Sequence, residues 1–158
     1  MSATPAPAGG RSVGHMADLN PSEANLILFM RLWCDGTEGR AAVWSDLSLA
    51  LGAQRARAAL GAFEMLFNLC ARHARRPLMR HAVPCCCVGA DEACFANFVM
   101  TAATGERDDA MLIATLLVRP DVAPVVTSVA AEVGLALHQM SLRPPLTAEL
   151  PSRPDVLH

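Results

Sequence analysis

The chain has 158 residues, enough for one domain of ordinary size that buries a core without disulfides or a metal to support it. Hydrophobic residues make up 53% of it and the mean hydropathy is +0.30, which excludes a wholly disordered chain. The formal net charge of −2 gives no global electrostatic argument for nucleic acid or an anionic membrane.

Ala and Leu dominate, there is no Tyr, and the chain has only five Phe and two Trp. This composition favours helix over sheet. The first eighteen residues hold Pro, Gly and Ala without periodicity and lack the apolar stretch of a secretory signal, so they read as a disordered leader. The first predicted helix begins at Asn20, an N-cap residue, followed by Pro21 at N1 and Glu23 at N3. Ala24, Ile27, Leu28, Met30 and Leu32 recur at helical spacing, and Gly36 stands where a C-terminal cap is expected. A second helix is expected over 40–51, ending at Gly52. A third is expected over 54–74, stopped by Pro77.

Residues 75–90 have no strong period and read as a connection. A fourth helix is expected from an Asp91 cap to Thr104, a fifth over 106–118, and a sixth from near Asp121 to about Leu142. The tail from Pro144 carries four Pro and reads as extended. The expected fold is therefore all-α: about six helices in one orthogonal or bundle-like domain over 19–143, with a leader over 1–18 and a tail over 144–158.

Chemistry concentrates in one window. Five of the six Cys and two of the five His lie between Cys70 and Cys94, where uniform scatter would put about one Cys. No export signal is seen, so these thiols are expected in a reducing, cytoplasmic compartment, where a metal or redox role comes before a disulfide. Zinc and other soft-leaning metals choose thiolate and imidazole in tetrahedral array. The expected ligands are Cys85, Cys87, Cys94 and His81, with Cys86, His73 and Cys70 as alternatives. Adjacent cysteines diverge, which favours Cys85 and Cys87 over the whole triplet. Cys94, about three residues past the Asp91 cap, is expected to gain thiolate character from the helix dipole, which would also suit thiol redox chemistry. The competing explanation is packing, since Cys is often a small buried hydrophobe, and Cys70 lies on the apolar stripe of the third helix.

A second feature is weaker. Residues 41–66 loosely resemble a helix-turn-helix, with Arg55 and Arg57 near the start of its second helix and Arg72, Arg75 and Arg76 available for phosphates. Two helices joined at a glycine are common in α domains, and Ala-rich positions offer few donors to base edges. The apolar excess and the Val-rich sixth helix also suit a homodimeric interaction module. No uninterrupted run of 18 apolar residues occurs, so no membrane span is expected. No Walker A, dinucleotide loop, nucleophile elbow or H-E-x-x-H occurs. The reading is a small non-enzymatic regulatory or binding protein with a metal or thiol-redox site over 70–94. The alternatives are a DNA-binding regulator and a metal-free homodimeric module.

Overall fold

The structure, a computed structural model, describes residues 8–142. The fold is all-α with six helices, as expected: α1 (Pro21–Cys34), α2 (Thr37–Leu51), α3 (Ala53–His73), α4 (Ala90–Ala103), α5 (Arg107–Leu117) and α6 (Ala123–Ser141). One two-stranded antiparallel ribbon, β1 (Ser12–His15) with β2 (Cys87–Gly89), completes it.

The Asn20 side chain accepts from the Glu23 N–H at 2.9 Å, and the Glu23 carboxylate accepts from the Asn20 N–H, closing the expected capping box. Gly36 and Gly52 lie at φ 96° and 81°, which L side chains rarely adopt. They are the only residues between α1 and α2 and between α2 and α3 apart from Asp35, so the first three helices fold back on one another through very short links.

α6 is the central packing element. Its Val126, Val129, Ala130, Val133 and Leu137 are buried against α3 and α4, and Gly134 lets α4 approach closely. A Cβ at Gly134 would lie 2.6 Å from the Ala103 Cβ. The segment Pro120–Ser141 has the length and apolarity of a membrane span, with a mean hydropathy of 1.3 over its best 18 residues. Here its apolar stripe forms the core of the helix assembly. The stripe that suggested a homodimer contact is therefore occupied within the chain, leaving Val125 and Leu135 as exposed large apolar side chains on α6. A second core centre joins α1, α3 and α4 through Phe29, Trp33, Phe63, Phe67 and Phe95, with Trp33 stacked on Phe67 at a centroid distance of 6.3 Å.

Two local expectations are corrected. Of the leader read over 1–18, residues 8–18 form two single 3-10 turns flanking β1, and residues 1–7 lie outside the described residues. The cap of α4 is Gly89, which puts Asp91 and Glu92 at its second and third positions. α3 spans Ala53–His73, as expected to within a residue, and beyond it the chain turns extended: Ala74 bridges Val118, the Arg75 N–H donates to the Leu117 carbonyl, and the Arg119 N–H donates to the His73 carbonyl. The expected tail over 144–158 lies outside the described residues.

Candidate metal centre

The Cys-rich connection between α3 and α4 has little regular structure, and polar groups set its shape. Arg31 of α1 and Glu92 of α4 meet in a fully buried, two-pronged ion pair: Arg31 Nε donates to Glu92 Oε1 at 2.7 Å and an Nη donates to Oε2 at 2.9 Å. The side chains are 1% and 0% exposed. Two charges so enclosed are stable only when their remaining hydrogen-bonding capacity is used. Arg31 uses its own on the loop, donating to the carbonyls of Cys85 and Cys87, each at 2.7 Å. Glu92 accepts from the backbone N–H of His81 at 3.0 Å and of Gly89 at 2.9 Å.

The neighbouring carboxylate repeats this at the loop's other end. Asp91 accepts two bonds from the Arg76 guanidinium, at 2.8 and 2.7 Å, and one from the Met79 N–H. Consecutive helix residues thus anchor both halves of the loop. Burial pushes both carboxyls up, but the guanidinium and backbone N–H donors outweigh it and hold both below their ordinary values. Neither residue stands out in the sequence as a site residue; the only sign is an Asp-Glu pair in the first turn of a helix, and Arg31 shows merely as a break in an apolar run.

β1 supplies the other wall. His15 pairs with Cys87 across the ribbon, and the Met16 N–H donates to the Cys86 carbonyl at 2.8 Å. This register brings His15, Cys86 and Cys87 together so that one ligand atom of each lies within 4.8 Å of the others. Among the described residues, this is the one group of three or more His, Cys or acidic side chains so gathered. Cys86 and His15 are exposed and Cys87 is half-buried.

The four residues expected as ligands are thus not gathered into one cluster. Cys87 belongs to the trio, and so does Cys86, which was an alternative. Cys85 instead faces His81, with Sγ 3.4 Å from Nδ1. The His81 Nε2 lies 2.9 Å from the Gly10 carbonyl. A carbonyl only accepts, so Nε2 carries the proton, and in the neutral ring Nδ1 is an acceptor turned to the thiol.

Cys94 sits inside α4, where burial and then the Asp91 carboxylate push its thiol pKa up, against a smaller opposing effect of Arg76. The expected thiolate stabilisation there is therefore reversed, chiefly because the thiol is buried and then because the Asp91 carboxylate opposes its ionisation. Burial alone pushes the Cys70 thiol up to about 12, as packing on the α3 stripe implies. His73 Nδ1 lies 2.9 Å from an Arg119 Nη, on a different part of the surface chemistry. His15, the donor missed from the sequence, lies about seventy residues from its partners, and no spacing rule connects the two.

The basic residues of the helix-turn-helix-like segment are spread out. α2 and α3 are joined by Gly52 alone, where such motifs use a turn of about three to four residues. Arg55 and Arg57 are exposed in the first turns of α3, and Arg72 lies in its last turn, roughly 22 Å along the axis at 1.5 Å per residue. Arg76 is held by Asp91, and Arg75 Nε donates to the Thr115 carbonyl.

No protein-family model, curated protein or solved structure matches this chain.

Proposed function

We propose that this chain is a small binding protein with a regulatory rather than catalytic role, and that it holds one soft-leaning metal ion, zinc-like, at His15, Cys86 and Cys87. The observation that carries the reading is the convergence of these three donors within 4.8 Å on a hydrogen-bonded ribbon. Two thiolates and an imidazole are a set that zinc favours, and three protein ligands leave a fourth position for water or another donor. The ribbon and the Arg31 guanidinium, which fixes the Cys85 and Cys87 carbonyls, hold the donors' backbones from both sides. That support lowers the ordering cost of binding.

The test is titration of reduced protein with Co²⁺ as a coloured stand-in for zinc, followed by zinc competition. A thiolate-to-cobalt charge-transfer band at one equivalent, lost in H15A and in C86S/C87S but kept in C94S, is expected. Metal binding that persists in C86S/C87S and disappears in C94S would overturn this ligand set. A protein that takes up no metal would overturn the reading as a whole.

The Cys85–His81 contact favours a second reading, thiol redox chemistry, because an acceptor Nδ1 at 3.4 Å can take the thiol proton. Alkylation of Cys85 that is fast in wild type and slow in H81Q supports it; equal rates sink it.

A further inference from the structure

A half-open groove of about 480 Å³ lies against the start of the Cys-rich connection, between the ends of α1 and α3 and residues 74–80. It takes no part in the metal reading. Its floor is apolar: Met30, Phe67, Leu78 and Met79 line it, and the buried Cys70 closes it from below. Its rim is cationic, formed by Arg75, Arg76 and Arg80, and no acidic side chain lines it.

The three guanidinium groups are not equivalent. Asp91 neutralises Arg76 with two hydrogen bonds, so that residue is part of the wall. Among the described residues, no carboxylate pairs with Arg75 or Arg80. Arg75 uses Nε on the Thr115 carbonyl, and Arg80 reaches the Cys34 carbonyl through one Nη at 3.3 Å. Each keeps further N–H donors for a ligand. The volume falls within the range of small-molecule sites, and an apolar floor with a few convergent polar groups is their usual composition.

We propose that this groove binds a free, single-chain amphipathic carboxylate, with the chain laid on Met30, Phe67, Leu78 and Met79 and the head group taken by Arg75 and Arg80. Charge complementarity selects the head: guanidinium pairs with a planar carboxylate through parallel hydrogen bonds. The open side and the apolar floor select the tail, whose burial supplies the affinity, as an acetate-sized anion would gain little beside exposed arginines.

The experiment is calorimetric titration of the full chain with laurate below its micellar concentration, beside dodecyltrimethylammonium, acetate, and vesicles containing an anionic phospholipid. Laurate is expected to bind at one equivalent, with acetate silent, the cationic chain weaker by about tenfold or more, and vesicles not retaining the protein. R75Q/R80Q, with an unchanged circular dichroism spectrum, is expected to lose about tenfold for laurate and nothing for the cationic chain. The wild-type comparison stands even if that variant fails to fold. Absence of laurate binding, equal affinity for both chain charges, or capture by vesicles alone would each overturn the proposal.

Discussion

The assembly around α6 and the connection between α3 and α4 are stabilised in opposite ways. Around α6, buried Val, Ala and Leu carry the packing. Around the connection, the fully buried groups include Arg31 of α1 and Glu92 of α4, and the loop backbone is fixed by five hydrogen bonds from or to the charged groups of Arg31, Glu92 and Asp91. Apolar packing tolerates a change of volume by partial collapse. A buried charge has no such relief, since removing one partner strands the other away from water. The two halves should therefore respond differently to the same kind of truncation.

The largest effect is expected at Glu92. Glu92→Ala leaves the Arg31 guanidinium uncompensated at 1% exposure and withdraws the acceptor for His81 and Gly89, so a loss of about 4 kcal/mol is expected in a denaturant titration. Metal uptake should fall with it, because the strand that begins at Cys87 ends at Gly89, whose N–H Glu92 holds. Leu137→Ala, buried in the C-terminal part of α6, should cost slightly less, about 3 kcal/mol by transfer and cavity formation. Metal uptake by the folded protein should be unchanged. Equal loss of metal binding in both variants would show that the two halves are not separately held.

This contrast also explains what could be read from the sequence. Every helix was legible, because caps such as Asn20–Glu23 and the apolar stripes of α3 and α6 are local signals. The concentration of thiols was legible as well, but not the geometry among them. The ribbon pairs His15 with Cys87, and a four-residue strand with one β-branched residue inside a Gly-rich stretch carries no pattern of its own. Register between segments that far apart is set by tertiary contacts. Arg31 and Glu92 were illegible for a related reason: a charge breaking an apolar run, or an acid in the first turn of a helix, is the same symbol whether it faces water or a buried partner. The Asp91 cap failed by two residues, the usual slack at a helix end, and the expectation for Cys94 failed chiefly because burial, which no local signal reveals, raises its pKa.

The polar half should also be the acid-sensitive one. Burial raises the Glu92 pKa, but bonds from Arg31, Gly89 and His81 outweigh it, so the folded value lies below the ordinary 4.5. The unfolded chain therefore takes up the proton first as pH falls. Stability from Glu92 is complete above its unfolded pKa and is lost as pH drops through the folded one; Asp91 adds to this with the same sign, from an ordinary value of 3.8. Unfolding free energy is expected to decline between about pH 5 and about pH 3 in wild type. In Glu92→Gln the decline should be shallower over the same window, whereas in Leu137→Ala it should run parallel to wild type at a lower level. A wild-type slope in the Glu92→Gln protein would place the acid sensitivity elsewhere.

The finest distinction is among the thiols, where the comparison can be drawn within one residue type and without disturbing the fold. Cys34 and Cys86 are exposed, Cys85 and Cys87 are half-buried in the connection, and Cys70 lies inside the apolar half with its pKa near 12. Reaction with a disulfide reagent requires both access and thiolate, so Cys86 and Cys34 should react first and Cys70 only on unfolding. Cys94 should be slow as well, since burial and Asp91 both oppose its ionisation. Adding zinc sharpens the test, for it should slow Cys86 and Cys87 and leave Cys34 untouched, as mass mapping of the labelled peptides would record. Should Cys94 rather than Cys86 be the thiol that zinc protects, the ribbon would not be the binding element, and the helix start would have to open to provide one.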